Sequence, residues 1–151
     1  DIYQPSCLDW LEKIAPVYAV ELGAEAHFNE DARVVDMFRV LNLGGHTIGL
    51  IHDLLVPGMA QEVTALSPLS KHFPPDTSLS TALEKVFDRE VDIVIFGHTH
   101  YPVVEEFQGI LMLNPGSPSL PKQIRRLGQV AVLELDGDRK SAEIIDLSTF
   151  S

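Results

Sequence analysis

A single cysteine among 151 residues rules out an internal disulfide, so Cys7 can only be a lone thiol or a small apolar packing residue. Its place on an apolar helix face predicts the second. The chain also lacks any run of eighteen apolar residues, and no basic stretch leads into an apolar one near its start. Neither a membrane span nor an export signal is expected, and a reducing cytoplasm is the expected location. Basic residues are scarce, with 11 Lys and Arg against 22 Asp and Glu and a net charge of −11. That balance excludes general binding to nucleic acid or to an acidic membrane, since both need basic side chains to replace counterions. An anionic substrate would need positive charge from elsewhere, and bound divalent cations are one source. Repeats, low-complexity tracts and Gly/Ser linkers are missing too, so residues 1–151 are expected to form a single domain around one core.

What is present organises into alternating elements. Cys7, Leu8, Leu11 and Ile14 fall on one helical stripe between Pro5 and Pro16, which predicts a short amphipathic helix. Val17 to Val20 is a brief run of strand formers. Arg39–Leu43 and His46–His52 predict a hairpin turning at Gly44-Gly45. The proline- and serine-containing stretch from Val56 to Pro75 reads as an irregular loop with at most one helical turn. A second helical stripe, Leu79, Leu83, Val86 and Phe87, leads into the apolar strand Val91–Phe96. Short strands follow over residues 103–107, 110–113, 129–135 and 141–147, divided by turn residues such as Gln108-Gly109 and Asp136-Gly137-Asp138. The expected fold is α/β, a two-sheet sandwich flanked by helices.

Three stretches carry candidate chemistry. In Ile93-Val94-Ile95-Phe96-Gly97-His98-Thr99-His100, an apolar strand delivers two imidazoles to its C-terminal end, after a glycine expected to let the chain turn. Strand ends of α/β sheets are where ligands bind, and neutral imidazole is the commonest protein metal ligand. A bare His-x-His is more often a pair of solvated loop residues, and it is the preceding strand that shifts the balance. Ile48-Gly49-Leu50-Ile51-His52-Asp53 is a second apolar strand ending in histidine, and parallel neighbours would bring the two ends together. Leu113-Asn114-Pro115-Gly116-Ser117 reads equally as a structural turn and as a substrate contact.

Together, Gly97-His98-Thr99-His100, the strand ending in His52, and Asn114-Pro115-Gly116-Ser117 resemble, in order and approximate spacing, the calcineurin-like metallophosphoesterases, in particular the small prokaryotic phosphodiesterases related to the retromer small subunit. The resemblance covers nearly the whole chain. It implies a phosphoester hydrolase, a phosphodiesterase acting on a small phosphoester, with two divalent ions that share a hydroxide. Mn²⁺ is the expected metal, with Zn²⁺, Fe²⁺ or Ni²⁺ as alternatives. Asp1, followed by Ile2 and a helix leading to Val17-Tyr18-Ala19-Val20, matches the family's bridging aspartate. By the same resemblance His52 and His98 bind one metal and His100 the other.

The departures matter as much as the matches. The family's Asp-x-His strand would precede Asp1, so the resemblance implies a sequence short of a strand–helix–strand segment on the order of 30 residues. The family's Gly-Asn-x-Asp motif has no clean counterpart. Asn29-Glu30-Asp31 preserves Asn-x-Asp and makes Asn29 a metal ligand, or else Gly23-Ala24 holds the position and the asparagine is lost. His27 is either a proton donor or a surface residue. Asp53 stands where the family has glycine, and it either binds metal or weakens phosphate binding. A second function class follows from the same departures: a catalytically degenerate scaffold of this fold that binds a protein partner.

Overall fold

The computed structural model describes residues 2, 4–21, 31–119 and 128–150. Asp1, His27 and Asn29, and with them the choice between Asn29 and Gly23-Ala24, lie outside the described residues. Ser6–Glu12 form helix α1, Ala19–Glu21 strand β1, Val34–Asp36 β2, Phe38–Leu43 β3 and His46–Ile51 β4. Leu69–His72 form α2, Leu79–Phe87 α3, Ile93–Phe96 β5, Val103–Phe107 β6 and Ile110–Asn114 β7. Gln129–Asp136 and Arg139–Asp146 are β8 and β9, and a 3₁₀ turn spans Leu147–Phe150.

Five strands make the main sheet in the order β3-β4-β5-β7-β6. Its three central strands, β4, β5 and β7, run parallel, and β3 and β6 close the edges antiparallel. Parallel strands buried on both faces need apolar residues at every position, and β5 supplies them. Val94 and Phe96 face one core together with Met112, Leu83 and Phe87, while Ile93 and Ile95 face the other with Ile48, Leu111, Leu133 and Leu135. The first core lies beneath α2 and α3. The second is closed by the β8–β9 hairpin, which is the second sheet of the expected sandwich.

Local chemistry fixes the helices on the first face. Ser78 caps α3 by accepting from Thr81 N, and Gln108 Oε1 accepts from Leu79 N at 2.8 Å, tying the helix to the β6–β7 turn. Glu105 on β6 accepts from Leu69 N and Ser70 N at the start of α2, both at 2.9 Å. Phe87 lies across Gly49 of β4 so closely that an added Cβ would sit 2.7 Å from the ring. That glycine is what lets α3 reach the sheet.

Two expectations need correction. Helix α1 ends at Glu12, and of its apolar stripe only Leu8 is buried. Cys7, expected in the core, is exposed. The partner of β1 is the parallel strand β2, paired Ala19 to Val34, which sequence reasoning missed. Arg33, just before β2, holds this region to α1. It pairs with Asp31 through two side-chain bonds of 2.7 and 2.9 Å and reaches Asp9 and Glu12 as well. Among the described residues no helix is long and apolar enough to cross a membrane.

Candidate metal centre

The parallel register pairs Ile51 with Phe96, so β4 and β5 end side by side. Gly97 N then donates to His52 O at 3.0 Å, which fixes the chain just past both strands and sets His52 next to His98. Their ring centroids are 5.5 Å apart. Two imidazoles at that separation can each turn a nitrogen toward one ion. His100 lies two residues further along the same turn, half-buried.

The turn itself differs from expectation. Gly97 does not adopt the left-handed backbone conformation; His98 and His100 do, with φ of 65° and 59°. Non-glycine residues in that region cost on the order of 1 kcal/mol each and gather at functional sites. Asn114 holds the strained turn in place. It is fully buried, its Nδ2 donates to Gly97 O at 2.9 Å and to Thr99 Oγ1 at 3.1 Å, and its Oδ1 accepts from Gly116 N at 3.0 Å. Every polar atom of that amide works on the two loops, so the Asn-Pro-Gly-Ser stretch is a brace for the histidine turn.

His52 is nearly fully buried, and its Nδ1 lies 3.1 Å from Glu21 Oε1 at the end of β1. A carboxylate on Nδ1 fixes the tautomer and directs ligation to Nε2, the usual arrangement behind a metal-bound histidine. Burial pushes the His52 pKa down, more strongly than the nearby Glu21 charge raises it. The ring is therefore neutral at neutral pH, as a ligand must be.

Asp53 and Glu62 complete the setting. Their carboxylates and a ring nitrogen of His98 all lie within 4.8 Å of one another. Asp53 follows directly from the end of β4, between buried His52 and buried Leu54, and Glu62 precedes buried Val63. Sequence reasoning reached Asp53 only as an open alternative and missed Glu62 entirely. The available signal was its place in a loop pinned by Leu54, Val56 and Val63, but a carboxylate in such a loop reads as solvated until the loop's path is known.

The described donor set fits a divalent ion. Imidazole with carboxylate oxygen suits Mn²⁺, Fe²⁺ or Zn²⁺ better than Ca²⁺, which prefers oxygen alone. His98 belongs both to the pair with His52 and to the group with Asp53 and Glu62. His100 is not a member of that group.

Residues 1–138 match the family model for the calcineurin-like phosphoesterase superfamily domain. A probable metallophosphoesterase of Methanothermobacter thermautotrophicus is 30% identical over 146 residues, 96% of this chain and 71% of that protein. Another, from Methanocaldococcus jannaschii, is 30% identical over 122 residues, 81% of this chain and 52% of its own length. Among solved structures, a Thermotoga maritima protein superposes with a TM-score of 0.54 at 28% identity, over 97% of this chain and 76% of that one. Vacuolar protein sorting 29 of Cryptosporidium parvum reaches 0.54 at 20% identity, over 95% of this chain and 76% of that one, which shows a shared fold. With its histidine turn at the strand ends, its sandwich fold and these matches, the chain belongs to the calcineurin-like phosphoesterase superfamily.

Proposed function

We propose that this protein is a metal-dependent phosphoester hydrolase, acting on a phosphodiester through a dinuclear divalent-metal site. The observation that carries the proposal is the pairing of His52 with His98 at the ends of adjacent parallel strands, beside carboxylates that lack a basic partner among the described residues. In an acidic chain this is the described place where three imidazole and carboxylate donors come close enough to hold an ion, so it is where cations would gather to admit a phosphate.

In this reading Glu21 orients His52, which presents Nε2. His98 would share the ion with it, His100 would serve a second ion, and Asp1, outside the described residues, would be a ligand to both. Asn29 is the further ligand proposed for the first. Divalent ions supply Lewis acidity, a water made acidic enough to attack at neutral pH, and a clamp on the phosphoryl oxygens. The protein's own part is positional. Asn114 holds the His98–His100 turn, and the neutral, buried His52 keeps a fixed tautomer. Mn²⁺ is the proposed metal, a cytoplasmic location and a small phosphoester substrate are part of the same proposal, and the substrate's organic group is not specified by these residues.

The test is hydrolysis of bis(p-nitrophenyl) phosphate by the protein with added Mn²⁺, alongside its metal content after dialysis. Retained metal with turnover that is lost on chelation is the expected result. Metal bound tightly with no turnover on any phosphodiester would instead favour the scaffold reading.

A further inference from the structure

We infer that Asp53 and Glu62 are themselves metal ligands, joining His98 to hold a divalent cation, so that this chain carries a carboxylate-rich coordination site which its histidine motifs alone do not define. The inference rests on the metal-dependent reading above, and it assigns two residues that the motif pattern leaves out.

Three features of the structure converge on it. The donor atoms of Asp53, Glu62 and His98 lie mutually within 4.8 Å, close enough for a single ion to reach all three after small side-chain rotations. Neither carboxylate has a hydrogen bond or ion pair to a Lys, Arg or other donor among the described residues, although both are only half-exposed. Elsewhere in the described chain, clustered carboxylates do have such partners: Asp9, Glu12 and Asp31 share Arg33, and Asp92 has Lys140. Two like charges left together in a half-buried position are a standing electrostatic cost, and a cation between them removes it.

The anchoring is the third feature. Leu54 is 2% exposed and Val63 is 1% exposed, so each carboxylate is attached next to a residue locked in the core. Packing of those neighbours fixes the backbone from which each carboxylate projects. The resulting set of one imidazole and two carboxylates favours Mn²⁺ or Fe²⁺ and also accepts Zn²⁺. It also resolves the role of Asp53: the carboxylate that replaces a glycine after His52 binds the cation, and its charge is neutralised there before a phosphate arrives.

The experiment measures Mn²⁺ affinity and stoichiometry by calorimetry, with the bound ion followed by electron paramagnetic resonance. It uses the wild-type protein, Asp53→Asn, Glu62→Gln, the double variant, His52→Ala, and Glu84→Gln on α3 as a surface control. Far-UV circular dichroism confirms folding of each, and the carboxamide replacements keep the side-chain shape. The inference predicts at least 10-fold weaker binding for each single carboxamide variant, an altered Mn²⁺ spectrum, and loss of the ion in the double variant, with the control unchanged. Wild-type affinity and spectrum in the double variant would overturn it; if His52→Ala then still loses metal, the metal-dependent reading survives without these two ligands. Loss of the ion in the double variant, in a wild-type protein that hydrolyses no phosphoester, would uphold the inference while sinking the hydrolase. A wild-type protein that binds no Mn²⁺, Fe²⁺ or Zn²⁺ overturns both.

Discussion

The two ends of the parallel strands β4 and β5 carry the same residue types and put them to different uses. At the N-terminal end, buried His46 meets Asp92 through Nδ1 at 2.5 Å, Thr47 N donates to the other carboxylate oxygen at 2.8 Å, and Lys140 Nζ reaches Asp92 and Gly109 O. At the C-terminal end, His52 and His98 sit beside Asp53 and Glu62, and among the described residues no lysine or arginine is paired to either carboxylate. The first group closes on itself: burial opposes the Asp92 charge, but bonds from His46 and Thr47 and the charge of Lys140 outweigh it and hold the carboxyl below its usual range. That network fastens the β8–β9 hairpin, through Lys140, to the main sheet. The second group has no such closing cation among the described residues, and it is where the metal is proposed to bind. A histidine near a carboxylate is therefore not a site by itself; what separates the two ends is whether a described lysine or arginine supplies the positive charge.

This contrast breaks most sharply by mutation. His98→Ala and His100→Ala are each expected to lower phosphodiesterase activity by about 10²-fold or more, because losing a ligand removes charge stabilisation and water activation together. His46→Ala, at the closed end, is expected to leave the activity of the folded protein unchanged, despite replacing a more deeply buried imidazole. Steady-state kinetics of the three variants decide between them, and equal small losses would erase the distinction between the ends.

Asn114→Ala sharpens the same contrast from within the open end. Removing its amide takes one bond from each of Gly97 O, Thr99 Oγ1 and Gly116 N, leaving Gly97 O the bond from Thr99 N and Thr99 Oγ1 the bond from Tyr101 N. A stability loss of about 2–3 kcal/mol, read from urea unfolding, is expected with a smaller drop in activity than either histidine variant gives.

At the closed end, Asp92→Asn is expected to lose about 1–2 kcal/mol of stability while binding Mn²⁺ as tightly as wild type. The pH dependence has a definite sign. Because the Asp92 carboxyl titrates lower in the folded protein than its ordinary value of 3.8, its contribution is fully present above that pH and fades as the pH falls through the folded value. Acid unfolding curves below about pH 4 should therefore be shallower for Asp92→Asn than for wild type. The smallest effect belongs to His72→Ala: that residue is exposed on α2, and less than about 0.5 kcal/mol with unchanged activity is expected.

Much of the fold was legible before the structure. Apolar runs bounded by turn residues, the Gly44-Gly45 hairpin and the stripe of Leu79, Leu83 and Phe87 are local signals, and local signals survive folding. Strand β2 was not legible, because Val34–Asp36 is three residues long and acquires its identity only from pairing with β1. Cys7 was misplaced because a helical stripe predicts burial only where another element covers it, and around α1 the described cover reaches Leu8 alone. At the site, His52 and His98 were legible as strand-end residues. Glu21 and Glu62 were not, since their roles arise from contacts across 31 and 36 residues of sequence that no local pattern encodes.

The central claim is that the open end holds the cation and the closed end does not. Crystals of the protein grown with Mn²⁺ and measured at an X-ray wavelength where manganese scatters anomalously test it most directly. The account predicts anomalous density between His98, Asp53 and Glu62, within reach of His52, and none at His46, Asp92 and Lys140. Density absent from the first cluster in crystals that bind Mn²⁺ elsewhere, or present at the second, would contradict it.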